Sequence, residues 1–385
     1  MTQFSSPPDP ESRILPSLMR RMAFFALGIA AILVRIATAC NRAKKARQQH
    51  APPVFIFEPF GMGDIIVLQP LVLAWLAAGH QVILAAKPAW AEIVPPHPAF
   101  TFIAVSPTYA STDSTHKHHG LFKELRALGR MLKPQSAGST GIDVRGDVRS
   151  LILLYLAGCR TVHTLPRYYT ANDCRVPPFA AQRVKLLRDV SRRTVNAAFG
   201  PPDIPLTRPT LSHLLPKTGV IPDANRIGLI PLTPWTGKRW IPEYWRETIL
   251  RLRAEGFTPI VLCGPEEAAA AIEAVNGNDL RLICQEADSV RKWVARIAKC
   301  GSVITVNTGP MHIADALNKP IVVLEGPSRL PLWAPEGDRT FVVHHQGEAG
   351  CAPCHPVGNL NTCGHRCMRL VRPDEVLAAL KDVRN

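Results

Sequence analysis

Residues 54–73 read VFIFEPFGMGDIIVLQPLVL, and the order of residue types in this stretch decides the fold class. A short β-branched and aromatic run, VFIF, is followed by a turn with glycine at positions 61 and 63 and then by an apolar run of helical length. That order reads as strand, tight turn, helix. Asp64 falls where the helix begins. A carboxylate there accepts from unpaired backbone N–H groups and complements the helix dipole. The same position, at the carboxyl end of a parallel strand, is where open α/β sheets display their ligand-binding groups. The two roles are compatible, since a residue at a helix start can do both.

Outward from this stretch the chain alternates strand and helix patterns: QVILAA, a helix around Trp90, then TFIAV. This is the grammar of a doubly wound half-domain. The segment 106–120 breaks the alternation with hydroxyl residues leading to His116, Lys117, His118 and His119. No acidic or cysteine ligand accompanies these histidines, which favours a basic loop over a metal site. The stretch GIDVRGDVRSLILLYLAG, 141–158, repeats the opening grammar with Arg145, Asp147 and Arg149 at its turn. Arginines so placed suit phosphate or carboxylate recognition, and a solvated turn is the alternative. A proline-rich segment, 201–222, reads as a linker. The alternation then resumes through RIGLIPLTPW, TPIVLCG, LRLICQ, SVITVNTGPMHIADAL and PIVVLEG, with helices at 243–255, 266–275 and 289–299. The pattern predicts an α/β protein with two Rossmann-type doubly wound domains facing a cleft, preceded by an N-terminal apolar helix. The boundaries it suggests are 1–50 for a tail and membrane-associating helix, 51–205 for the first domain and 206–385 for the second.

The chain has 385 residues and a formal charge of +15, so an anionic partner is implied. No nucleic-acid-binding motif is present and aromatics are only 6%, which argues against stacked bases as that partner. Six of the ten cysteines are dispersed, several in apolar runs. This is the usage of a reducing compartment and predicts a cytoplasmic protein. Residues 1–12 are polar and rich in Pro and Ser, a disorder-prone composition. The run 22–40, MAFFALGIAAILVRIATAC, is flanked by Arg20, Arg21, Arg42, Lys44, Lys45 and Arg47 and interrupted by Arg35. The positive charge after it disfavours a signal peptide. A spanning anchor, a surface-lying helix and a helix packed on the protein remain, and the basic flanks favour association of residues 13–47 with an anionic membrane surface.

The Gly61-Met62-Gly63 turn is not a dinucleotide fingerprint, because Ile66 occupies the third glycine position and the second strand runs into Lys87 rather than an acid. There is no P-loop either. At 303–317 a β-branched run ends at Asn307, Thr308 and Gly309, and Pro310 opens a helix that carries His312. Close backbone approach, free N–H groups and the helix dipole suit a diphosphate there. Lys238 lies in a loop after a strand, where its charge suits the same anion. Glu266 and Glu267, after Gly264-Pro265, fit a ribose or a helix start equally. Cys351, Cys354, Cys363 and Cys367 form CAPC and CGHRC. Their spacing fits a tetrahedral zinc site, an iron–sulfur cluster or disulfides.

With these segments in this order, the chain resembles glycosyltransferase family nine, the lipopolysaccharide heptosyltransferases, over roughly 54–380. The resemblance rests on GMGDIIVLQPL, IDVRGDVRSLILLYLAG, KRWIPEYW, VLCGPEE, VNTGPMHIADAL with PIVVLEGPS, and the late CAPC and CGHRCM. It implies a GT-B fold and inverting transfer, without a catalytic metal, from a nucleoside-diphosphate sugar, usually ADP-heptose, to a lipid-linked glycan acceptor. Asp64 aligns with the catalytic base. Lys238, Thr308, Gly309 and His312 align with the donor region, and Glu266 or Glu267 with the ribose. Arg145, Arg149, His116 and His118 are candidates to hold acceptor anions. The family commonly has Asp where this chain has Asn307, a departure that removes a negative charge facing the donor sugar. A GT-B protein without transfer, or one using a different nucleotide sugar, is the alternative reading.

Overall fold

The computed structural model describes residues 51–110, 120–145, 147–164, 191–350, 352 and 364–385. The apolar run at 22–40 lies outside them; among the described residues no helix is long and apolar enough to cross a membrane. Strands β1 (Val54–Phe57), β2 (Val82–Ala86), β3 (Phe100–Ala104), β4 (Thr140–Asp143) and β5 (Thr161–Thr164) belong to a five-stranded sheet. Strands β6 (Asp223–Ile230), β7 (Thr258–Cys263), β8 (Ile283–Glu286), β9 (Cys300–Val306), β10 (Ile321–Glu325) and β11 (Thr340–His344) form a second sheet of six. The chain divides into two compact units, residues 1–57 with 119–187 and residues 58–118 with 188–385.

In the first unit β4 pairs in parallel with β1 on one side and β5 on the other, with Thr140 opposite both Val54 and Thr161. All four residues of β1 are buried, which is why the run is continuously apolar rather than alternating. Helices Leu121–Ser136 and Val148–Leu156 meet at Gly129, where an added Cβ would lie 2.5 Å from the Leu156 Cβ. A larger residue there would force the two helices apart.

In the second unit β2 and β3 pair in parallel from Val82 opposite Phe100 to Ala86 opposite Ala104. Helix Met62–Ala77 buries residues around most of its circumference, including Ile65, Ile66, Leu68, Leu71, Val72 and Leu76. Its sequence is accordingly apolar throughout rather than striped. The six-stranded sheet has the order β11-β10-β9-β6-β7-β8 with every pair parallel. Strand order therefore reverses between β6 and β9, and the crevice beyond the carboxyl ends of those two neighbours is where such sheets bind ligands. The core beneath holds Trp240, Trp245, Ile304, Val306, Val322 and Leu324, closed by Val376 and Leu380 of helix Pro373–Arg384. Each large side chain of this kind contributes about 1.5–3 kcal/mol on burial.

Two predicted helices differ in form. The segment around Trp90 is a 3-10 turn, Pro88–Ile93. The helix expected from residue 266 starts at Ala268, because Glu266 adopts a left-handed conformation (φ 61°) that a helix cannot include.

Candidate functional site

The switch point of the six-stranded sheet assembles most of the residues singled out as donor-binding. β6 runs into the 3-10 turn Thr236–Lys238, and β9 ends one residue before Asn307. Lys238 is buried, at 7% exposure, and its Nζ donates to Asn307 Oδ1 at 3.3 Å. Burial pushes the Lys238 ammonium down from its ordinary value, while the carboxylates of Glu325 and Asp64 oppose that shift. A buried ammonium bonded to the neutral amide of Asn307 suits an anion whose charge it would meet directly.

Thr308 is the N-cap of helix Gly309–Ala316 and is extended (φ −152°, ψ 168°) without a side-chain cap. Pro310 occupies the first turn, where its missing N–H costs no helix bond. The start of this helix is thus left uncovered by side-chain capping, the arrangement that receives phosphate oxygens.

Asp64 lies in the same unit, in the first turn of helix Met62–Ala77, and its Oδ2 accepts from the Gly61 N–H at 3.0 Å. The capping role read from the sequence is therefore present. Asp64 is nevertheless half-buried, with its field felt at Lys238 and His312. The two glycine turns abut. A Cβ added at Gly63 would lie 2.5 Å from His312 Cδ2, and one at Gly309 would lie 3.5 Å from the Gly63 nitrogen and 3.1 Å from Met62 Cε. Glycine at both positions lets the starts of the two helices approach to backbone contact. His312 is pressed into this junction. Its burial drives the imidazole pKa to about 4, with Asp64 opposing and Lys238 assisting, so the ring is neutral near pH 7.

The acidic pair after β7 divides its labour. Glu267 Oε2 accepts from the Gly264 N–H at 2.8 Å and closes the turn, while exposed Glu266 stands in the left-handed region beside it. An open pocket of about 480 Å³ borders this turn, lined by Pro265, Ala268, Cys284 and Glu286 among others. Cys263 and Cys284 approach to 3.4 Å nearby, a proximity that their separation in sequence does not signal.

Arg145 and Arg149 belong to the other unit. Asp147 caps helix Val148–Leu156 by accepting from the Arg149 N–H at 2.9 Å, and the Arg149 guanidinium turns back onto the same carboxylate, Nη2 to Oδ2 at 2.5 Å. Burial pushes the Asp147 carboxyl up, but the hydrogen bonds and charge of Arg149, aided by Arg145, outweigh it and hold it below its ordinary value. Much of the Arg149 charge is thereby engaged within its own turn. The backbone N–H of Arg145 donates to Asp143 Oδ1 at 3.1 Å.

His116 and His118 lie outside the described residues, as do Cys351, Cys354 and Cys363. Cys367 is described and buried; it packs under Gly326, where an added Cβ would come 2.8 Å from its Sγ.

One residue that sequence reasoning missed is Glu325, at the end of β10 beside Asn307. It is 1% exposed and accepts from Asn307 Nδ2. The signal was present in PIVVLEG, where a lone carboxylate terminates an otherwise apolar strand.

Residues 171–363 match the model of glycosyltransferase family 9 (heptosyltransferase). Lipopolysaccharide heptosyltransferase 2 of Salmonella typhimurium is 30% identical over 316 residues, covering 75% of this chain and 87% of that protein. Lipopolysaccharide heptosyltransferase 2 of Escherichia coli is 24% identical over 313 residues, again covering 75% and 87%. Among solved structures, an E. coli heptosyltransferase with ADP superposes with a TM-score of 0.57 at 18% identity, covering 86% of this chain and 99% of that one. The likeness is one of fold: two parallel-sheet α/β domains of the GT-B type.

Proposed function

Because the chain belongs to glycosyltransferase family 9, the heptosyltransferase family, we propose that it moves a heptose-like sugar from a nucleoside diphosphate, ADP-heptose, to a hydroxyl of a lipopolysaccharide core or related lipid-linked glycan, with inversion. The observation that carries this reading is the gathering of Asp64, Lys238, His312 and the uncapped helix start at Thr308–Gly309 within one unit.

In this reading the Asp64 carboxylate takes the proton of the acceptor hydroxyl as that oxygen bonds to the anomeric carbon. The bond from that carbon to the diphosphate oxygen breaks, and the nucleoside diphosphate leaves with the electron pair. General-base assistance of this kind contributes about 10²–10⁴-fold. The developing charge on the leaving diphosphate falls on Lys238 and on the N–H groups at the Thr308–Gly309 turn, which are in place beforehand. Neutral His312 contributes a hydrogen bond to the donor rather than a second positive charge. Glu266 is the residue proposed to bind the ribose, with Glu267 holding its turn. Arg145, Arg149, His116 and His118 are the residues proposed to hold acceptor phosphates or carboxylates. The chemistry requires no metal ion; a structural zinc site is the role proposed for Cys351, Cys354, Cys363 and Cys367. The chain acts on the cytoplasmic face of the inner membrane, drawn to anionic lipid by residues 13–47. Lipopolysaccharide heptosyltransferase activity is supported by the names of the two relatives, and the adenine nucleotide by the ADP in the structural neighbour.

The test is titration of the protein with ADP-heptose, followed by an assay for ADP release on adding a heptose-deficient lipopolysaccharide core. Saturable binding and acceptor-dependent release are expected. No binding of ADP-heptose, with binding of another nucleotide sugar, would overturn the donor assignment.

A further inference from the structure

The sequence assigns no role to Glu325, yet the carboxylate sits beside the switch point, at the end of the strand next to β9. β10 lies against β9 with Leu324 opposite Val306, so Glu325 and Asn307 emerge side by side from adjacent strand ends. Glu325 Oε1 accepts from the Gly326 N–H at 2.8 Å and the Ser328 N–H at 3.0 Å, and Oε2 accepts from Asn307 Nδ2. Asn307 Oδ1 in turn accepts from the Lys238 ammonium at 3.3 Å. The amide orientation is fixed from both sides. An ammonium only donates and a carboxylate only accepts, so Asn307 must show its oxygen to Lys238 and its nitrogen to Glu325.

We propose that Glu325 is a positioning residue of the donor site: through Asn307 it holds the Lys238 ammonium charged and aimed at the donor diphosphate. This rests on the reading of Lys238 as the diphosphate cation. Three donors hold the Glu325 carboxylate in place, and its field reaches Lys238 through a single intervening amide. The other charged group whose field acts at Lys238 is Asp64, and Lys238 in turn acts on His312. Among these, Glu325 makes the largest contribution to keeping Lys238 protonated against its burial.

The chain of donors makes a directional prediction. In Glu325→Gln the new amide can keep its oxygen on Gly326 and Ser328, but its nitrogen then faces the Asn307 nitrogen. Asn307 must turn over and present its own nitrogen to the ammonium. In Asn307→Asp with Glu325→Gln, the carboxylate at 307 accepts from both the glutamine nitrogen and Lys238, and the chain is restored with the charge moved one strand over.

The experiment is titration with ADP between pH 6.5 and 9.5 for the wild type, Lys238→Ala, Glu325→Gln and the double variant, with thermal unfolding of each. We expect Glu325→Gln to bind ADP about tenfold more weakly, with the alkaline loss of binding moved about one pH unit lower. The double variant should return to within about threefold of the wild type with its alkaline limb restored. An unchanged affinity and pH profile in Glu325→Gln would overturn the inference, and so would a loss that the double variant does not rescue, which would mark Glu325 as a turn-former only. Should Glu325→Gln not fold, Asn307→Leu, which leaves the Gly326 and Ser328 bonds intact, must show the same shift of the alkaline limb, and an unshifted limb overturns the inference. Wild-type ADP binding indifferent to Lys238→Ala would instead sink the donor reading beneath it.

Discussion

At the scale of the residue, the site is governed by a few buried groups whose charge state the surrounding packing decides. His312 is the sharpest case, with an imidazole pKa near 4 in the folded protein because it is buried at the junction of the two glycine turns. Its ordinary value is 6.5. The folded state therefore binds this proton less readily than the unfolded chain. The stability it contributes is fully present above about pH 6.5 and is lost as pH falls toward 4, about 2–3 kcal/mol of it by pH 4.5. We predict that unfolding free energies of the wild type, compared at pH 7 and pH 4.5, differ by about that much more than those of His312→Gln. Equal differences in the two proteins would show that the imidazole does not titrate in this way. Glycine 63 belongs to the same account. It was visible in the sequence as part of a turn, but the need for it is a steric one imposed by His312, two hundred and more residues away in the chain, and no local pattern carries that information.

At the scale of the element, the alternation of short apolar runs with amphipathic or wholly apolar stretches foretold the strands and most of the helices. VFIF, QVILAA, TPIVLC and PIVVLE are buried parallel strands, as their continuous hydrophobicity implied. Legibility failed where local chemistry competes. Pro88 and Ala89 open a tight 3-10 turn at Trp90 rather than an α-helix, and the Gly264-Pro265 turn with left-handed Glu266 delays the helix expected there to Ala268. The site was legible to a similar depth. Asn307 could be picked out because it ends an apolar run and Lys238 because it lies in the loop after a strand, whereas the bond from Asn307 to Glu325 depends on which strands are neighbours. Helix Val148–Leu156 carries its own test. Asp147 both caps it and binds Arg149, so Asp147→Ala should cost about 1–2 kcal/mol in urea unfolding. Asp147→Asn, which keeps a capping oxygen and loses only the ion pair, should cost less than 1 kcal/mol, about the worth of a partly exposed pair. Equal losses would mean that the cap contributes nothing.

At the scale of the whole molecule, the formal charge of +15 on this family 9 glycosyltransferase exceeds what the proposed diphosphate donor would use, and an anionic membrane surface is the partner proposed for the rest. The donor site engages few of these charges, and six Arg and Lys residues flank the apolar run 22–40. We predict that the full chain binds vesicles containing phosphatidylglycerol, that binding weakens steeply with added salt, and that a chain starting at Ala51 binds far less. Equal binding by the two would remove the membrane role of residues 13–47. Asp64→Asn tests the proposed base of the sugar transfer with little collateral damage, because asparagine retains an oxygen for the Gly61 N–H. The decisive measurement is single-turnover heptosyl transfer from ADP-heptose to a heptose-deficient lipopolysaccharide core by wild type and Asp64→Asn, with ADP affinity measured on the same samples. The expected result is a loss of about 10²–10⁴-fold in the transfer rate with ADP affinity unchanged, and near-normal transfer by Asp64→Asn would rule out Asp64 as the base.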